Sequence, residues 1–232
     1  MKSYRHLTLI SGVFTATLLI SNTLDNKLFL FGPLALPAGI ILFPLAYIFG
    51  DVLTEVYGYA ASRKVIWTGF FSLILMVLTY EAAGALPPAP FWPHQSAFEA
   101  ILGRVPRIVL ASITAYFLGE FTNSYVLAKI KIRMSGRTMS LRFVLSTIAG
   151  QFVDTTTFVL VAFSGTIGAT EMVSVTLSAW AFKVVWEIIA LPITIPVVKY
   201  LKRAENEDYY DYGTNFNPFA LQHTKASSVE LP

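Results

Sequence analysis

The run Phe70-Phe71-Ser72-Leu73-Ile74-Leu75-Met76-Val77-Leu78 holds one hydroxyl and no charge. A half-buried strand would alternate apolar and polar residues, and this run does not. It lies inside an apolar stretch from 66 to 84. As a helix that stretch spans about 28 Å, close to the ~30 Å hydrocarbon core of a bilayer. Backbone in lipid must satisfy its own hydrogen bonds, so a helix is the conformation such a stretch takes there. Five further stretches read the same way, at about 7–24, 37–58, 105–128, 143–163 and 175–199. The expected architecture is all-α, a polytopic membrane protein with six transmembrane helices in one bundle over 1–203 and a tail over 204–232.

Composition agrees. Of the 232 residues 55% are hydrophobic and 13% charged. An average soluble domain carries about 25% charged residues, so too little polar surface is present to cover a water-facing globule. There is no cysteine, which excludes disulfides and thiolate metal sites. The first stretch follows Lys2 and Arg5 as a signal peptide would, but it ends in Ser21-Asn22-Thr23 with no small-residue cleavage pattern, so it is read as helix 1. Of the 17 Lys and Arg residues, thirteen fall on the side of the two termini. Lys27, Arg104 and Arg107 fall on the other side, and Lys183 lies within a span. This asymmetry places both termini in the cytoplasm. The net charge of +3 is thus a topology signal, and no nucleic-acid partner is expected.

Residues 85–104 hold Pro87, Pro88, Pro90 and Pro93, then Ser96-Ala97-Phe98-Glu99, a capping-box pattern that starts a short helix. With Phe91 and Trp92 beside it, this is an amphipathic segment at the outer interface, either an anchor or a lid. The 129–142 loop is basic and contacts anionic lipid. Past 204 the chain turns acidic at Glu205, Glu207, Asp208 and Asp211, the composition of a solvated, partly disordered cytoplasmic tail. Gly12, Ala16, Gly69 and Gly119 permit close helix packing within one chain or in a homodimer.

Charge inside the bilayer costs at least about 2.5–3.5 kcal/mol, so intramembrane charges point to function. Asn22 lies late in helix 1. Asp51 and Glu55 are four apart on helix 2, and Glu120 and Asn123 three apart on helix 4. Gln151 and Asp154 are three apart on helix 5, and Lys183 and Glu187 four apart on helix 6. These spacings put each pair on one helix face. Four polar stripes turned inward would make one polar cavity, with Asp51, Asp154 and Lys183 near the midplane. A structural alternative is that the charges neutralise one another, Lys183 with Asp154 or with Glu187. One lysine cannot neutralise five carboxylates, however, and the excess points to a ligand or a proton. No H-E-x-x-H, G-x-S-x-G or P-loop occurs, and His6, His94 and His223 fall outside the spans. Neither enzyme chemistry nor ATP hydrolysis is expected, although Asp51 and Glu55 acting as acid and base on lipid is a remote alternative. Asp51, Glu55 and Asp154 could hold a hard cation, but Lys183 argues against it, so no metal and no cofactor are expected. A midplane pocket with excess carboxylates suits a transporter for a small polar solute.

The chain resembles the YhhQ-type queuosine-precursor transporters, also called the vitamin uptake transporter (VUT) family. The resemblance covers residues 7–203 and rests on Ser21-Asn22 and on Phe43-Pro44-Leu45-Ala46-Tyr47-Ile48-Phe49-Gly50-Asp51-Val52-Leu53-Thr54-Glu55-Val56-Tyr57-Gly58. Arg63, Ala115-Tyr116-Phe117-Leu118-Gly119 with Asn123, Gly150-Gln151-Phe152-Val153-Asp154-Thr155 and Phe182-Lys183 complete it. The segment Thr214-Asn215-Phe216-Asn217-Pro218-Phe219 is similar to the ending of many longer members. The resemblance implies uptake of 7-deazaguanine bases, the queuosine precursors preQ0 and preQ1, across the bacterial inner membrane for tRNA modification. It also implies six spans, an architecture like the substrate-binding subunits of vitamin importers, and no dedicated ATPase. The alternative is a binding subunit that needs a separate energising module. A guanine-like edge offers two parallel donors that one carboxylate, Asp154 or Asp51, can accept. Lys183, Gln151 or Asn22 would donate to the carbonyl, and Phe43, Tyr47, Phe152 and Phe158 would wall the ring. Glu55 or Glu120 would serve the exit side or a proton relay.

Overall fold

The computed structural model describes residues 4–24, 27–31, 34–103, 106–166 and 168–220. The side chains of Phe43, Tyr47 and Arg107 lie outside the described residues, as do Lys2, Arg104, Lys225 and the end of the tail. The described chain forms seven α-helices and one short hairpin: α1 (Leu7–Leu24), β1 (Leu28–Phe31) paired antiparallel with β2 (Leu34–Pro37), a 3₁₀ turn (Ala38–Leu42), α2 (Phe43–Tyr57), α3 (Tyr59–Gly84), α4 (Gln95–Leu102), α5 (Pro106–Arg133), α6 (Met139–Phe163) and α7 (Ala169–Glu205). The six apolar stretches each become helix, with altered ends. The second departs most. Its α-helix opens only at Phe43, with Pro44 in its first turn where a missing N–H costs nothing, and the expected start at 37 is a strand end followed by the 3₁₀ turn.

Four helices, α1, α3, α6 and α7, are long and apolar enough to cross a bilayer. Large apolar side chains stand exposed along them, among them Ile20, Phe71, Leu75, Leu78, Leu160 and Ile193. Rings and branched chains in such positions have no favourable place in water, and they form the lipid-facing surface. The buried residues collect on the opposite faces, where Phe14, Val52, Leu53, Val56, Ile66, Leu127, Phe143 and Val198 make one cluster joining α1, α2, α3, α5, α6 and α7.

Glycine sets the closest approaches. A Cβ on Gly119 would stand 2.6 Å from the Asp154 Cβ, and one on Gly150 would stand 2.7 Å from the Asn123 Cβ. The backbones of α5 and α6 therefore touch, and their pairing is the most extensive in the molecule. Gly69 is likewise used inside the chain, against Tyr116 and Leu18, whereas Gly12 faces open space. Gly58, with φ +81°, turns the corner between α2 and α3, and the Tyr209 ring occupies the space a side chain there would need.

Three expectations about the connections change. The 129–142 loop is mostly helix, since α5 runs to Arg133 and α6 opens at Met139, and its Lys131 and Arg142 are buried in the protein instead of facing lipid. The short helix after the proline-rich segment exists as α4, but it is capped at His94 with no side-chain bond. Ser96 lies inside it and the capping box does not form; Gln95 bridges Gly84 O and Glu99 instead. The tail over 206–220 is docked on the helices rather than free, although Tyr212 and Phe219 keep an exposed side. Arg63 donates to Asn215 O and Asn217 O at 2.7 and 2.8 Å, Trp67 to Pro218 O at 2.8 Å, and Tyr59 through its hydroxyl to Phe216 O at 3.0 Å. Phe216 packs on Tyr59 and Tyr125, and Phe219 on Trp67 and Phe117.

Candidate functional site

The close α5–α6 contact decides where the polar side chains meet. With Gly119 against Asp154 and Gly150 against Asn123, the faces bearing Glu120, Asn123 and Asp154 share one seam. α2 joins through Gly50, whose missing side chain leaves room for a Glu120 carboxylate oxygen. Asn123 Nδ2 donates to Asp51 Oδ1 at 3.4 Å. α7 closes the group: Lys183 Nζ lies 2.5 Å from Asp154 Oδ2, and the Glu187 carboxyl lies against that of Asp51. Glu120 stands between the two pairs and interacts with Asp51, Asp154 and Lys183. Asp51, Glu120, Asn123, Asp154 and Lys183 thus come together from four helices.

Burial is uneven across this group. Asp51 and Glu187 are each 1% exposed. The Lys183 and Asp154 side chains keep about a fifth of their surface, 19% and 22%, which leaves the ion pair reachable. Gln151 is buried on α6 one turn before Asp154. Phe152 is exposed and meets Trp180 edge-on at 5.8 Å, and Phe158 meets Phe163. Among the described residues no three His, Cys, Asp or Glu side chains stand close enough to hold one metal ion.

Two of the expected residues go elsewhere. Asn22 bonds back to Leu18 O at 3.0 Å and lines a cavity of about 20 Å³ with Tyr80, Glu81 and Ser112. Glu55 is fully buried one turn beyond Asp51, where Oε1 meets Lys202 at 2.6 Å, Arg142 at 2.7 Å and Lys131 at 3.5 Å. Asp208 from the tail bridges the same Lys131 and Lys202 at 2.7 Å each. Burial pushes the Asp208 carboxyl up, but these two cations outweigh it and hold the group below the usual carboxylate range. Asp211, buried against the Tyr59 N–H, is pushed up by its burial. Glu187, read from the sequence as one half of the α7 stripe, joins Asp51; the residues passed over are Lys131 and Arg142, read as a lipid-contacting loop, and Lys202, read as a topology signal. The Lys183-to-Glu187 spacing was the one sign pointing to Glu187.

The family described as "Putative vitamin uptake transporter" matches residues 37–197, which hold α2 to α7 up to its last turns and every member of the polar group. The chain belongs to the vitamin uptake transporter family. It is accordingly a multi-pass membrane transporter rather than an enzyme. A relative in Bacillus subtilis (strain 168) named "Probable queuosine precursor transporter" is 29% identical over 205 residues, covering 88% of this chain and 89% of the relative. No solved structure matches the chain.

Proposed function

We propose that this vitamin uptake transporter imports 7-deazaguanine queuosine precursors across the bacterial inner membrane, without an ATPase subunit. The reading is carried by one observation: a carboxylate and an amine, Asp154 and Lys183, each about a fifth exposed, are presented side by side by two helices of the bundle. A guanine-like base needs that pairing, since its N1–H and 2-amino donors fit a carboxylate and its carbonyl fits an amine. Asp154 accepts from the donor edge, Lys183 donates to the carbonyl, Gln151 supports the site from the same face, and Phe152 and Trp180 flank the ring. Glu120 pairs with the aminomethyl cation of preQ1, and the nitrile of preQ0 forgoes that contact. The kinship with the Bacillus subtilis relative supports the substrate class.

In this reading α1, α2, α3, α5, α6 and α7 all cross the membrane with both termini cytoplasmic. α2 alone is short, about 22 Å, and the 3₁₀ turn before it adds roughly 10 Å, bringing the segment to bilayer thickness. The test is uptake in cells unable to make queuosine precursors, read as queuosine in tRNA at low supplied precursor. The wild-type chain restores queuosine, and Asp154→Asn abolishes it while membrane insertion is kept. Normal uptake by that variant removes Asp154 from the site, and failure of the wild type removes the substrate. Transport by the purified protein in liposomes separates a stand-alone carrier from a subunit that needs an energising module.

A further inference from the structure

The polar group holds two pairs of unlike kind. Asp154 and Lys183 neutralise one another. Asp51 on α2 and Glu187 on α7 are two acids face to face, each almost fully buried. Asn123 serves one oxygen, Asp51 Oδ1. Asp51 Oδ2 and both oxygens of Glu187 receive no hydrogen bond from the protein. Buried carboxylates are normally matched by donors or cations, because leaving one unmatched costs several kcal/mol.

Among the described residues the nearest cations are already paired: Lys183 with Asp154, and Arg142, Lys131 and Lys202 with Glu55 and Asp208 one turn of α2 away. From α5 the titratable neighbour is Glu120, another acid, and beyond it stand Asp154 of α6 and Lys183 of α7, bound to each other. α1 carries no ionisable residue, and Arg63 of α3 is held by tail carbonyls. Asn123 offers its N–H to Asp51 and keeps a buried carbonyl oxygen without a partner, and no three His, Cys, Asp or Glu side chains among the described residues could ligate one metal ion. A proton suits two facing carboxyls: held between them, it provides a missing donor and removes the like-charge contact. Five residues past Glu187, Pro192 leaves the Ile188 carbonyl without its helical N–H, so α7 has a built-in bending point beside the pair. Bending there would part Glu187 from Asp51 and release the proton.

We propose that the Asp51–Glu187 pair is a proton site distinct from the Asp154–Lys183 pair, and that one proton taken up there moves inward with each base. This rests on the reading of the chain as a 7-deazaguanine importer. One proton per neutral base predicts about tenfold accumulation for each unit of pH difference across the membrane with the potential clamped.

The experiment uses the full chain in liposomes with an entrapped pH dye, a clamped potential and labelled 7-deazaguanine base. Wild-type protein should exchange labelled for unlabelled base without a gradient, and should accumulate about tenfold with the outside one unit more acidic, acidifying the lumen. Glu187→Gln should keep exchange within about twofold while accumulation falls to onefold and the dye signal disappears. Glu187→Leu should do the same, and it decides the matter if the first variant is not monodisperse. Accumulation that ignores the pH gradient, follows a sodium gradient instead, or survives in both variants overturns the proton site while leaving the importer intact. Absence of exchange in the wild type overturns the importer reading, and the proton site with it.

Discussion

Asp51 and Glu55 show how far a single spacing carries. Four residues apart on α2, they share a face, and the sequence therefore reads them as one stripe. The face is shared, but a turn of helix separates them by about 5.4 Å along the axis. That distance moves Glu55 out of the acidic group and into a nest of Arg142, Lys131 and Lys202. Those partners lie 87, 76 and 147 positions away in the chain, and no local pattern indicates which of many basic residues would reach it. The convergence of Asp51, Asn123, Glu120, Asp154 and Lys183 was legible because each interrupts an otherwise apolar helix. The destination of Glu55 was not. A prediction follows from the difference. Glu55→Gln leaves buried cations without their acid, and breaking a buried pair in this way costs about 3–5 kcal/mol. Asp208 still serves Lys131 and Lys202, so the loss falls hardest on Arg142, which is itself fully buried. Unfolding of the purified protein in detergent should shift accordingly, and a shift no larger than that of Glu81→Gln would show that the nest is not a stabilising element.

Among the elements, the segment over 206–220 departs furthest from its composition. Acids, Asn and Pro describe a solvated tail, yet the segment is held mainly through its backbone carbonyls, which composition does not encode. Part of it was readable: Asn215 and Asn217 each accept the N–H two residues on, at 2.9 Å, making successive Asx turns that aim Phe216 and Phe219 at the helices. The other half, Arg63 and Trp67 on one face of α3, is visible only once the tail is in place. Two bonds from a guanidinium, each worth about 1.5–3 kcal/mol, fix residues 215 and 217. Arg63→Ala should therefore raise chymotryptic cleavage at Phe216 and Phe219 by more than about tenfold, and unchanged cleavage would deny the clamp. Acid should act on the same element. The folded Asp208 titrates below its unfolded value of about 3.9, so its contribution is present above that value and lost as pH falls through the folded one. Asp211, pushed up by burial, has the opposite sign: what it contributes is present below about pH 4 and lost as pH rises. Release of the tail to pepsin should thus begin only below about pH 4, and Asp208→Asn should remove that onset.

At the scale of the whole molecule, the lopsided distribution of basic residues and the fold place the same loops at the same end. Glu55, Lys131, Arg142, Lys202 and the tail all gather at one end of the bundle, and Glu205, at the end of α7, accepts the N–H groups of Arg5 and His6 just before α1. Both described chain ends therefore lie together, at one end of the bundle. α4 and the proline-rich segment join the opposite ends of α3 and α5. In the orientation proposed above from the positive-inside asymmetry, the basic end faces the cytoplasm. The chain has no cysteine, so the assignment is open to direct chemistry without first removing a background. Ser135, in the turn between α5 and α6, and Ser96, on α4, are both exposed. In intact cells a membrane-impermeant maleimide should label Ser96→Cys and leave Ser135→Cys untouched until the cells are opened. Labelling of Ser135→Cys from outside would invert the molecule. Labelling of both from outside would mean that α5, the one helix between them, does not cross.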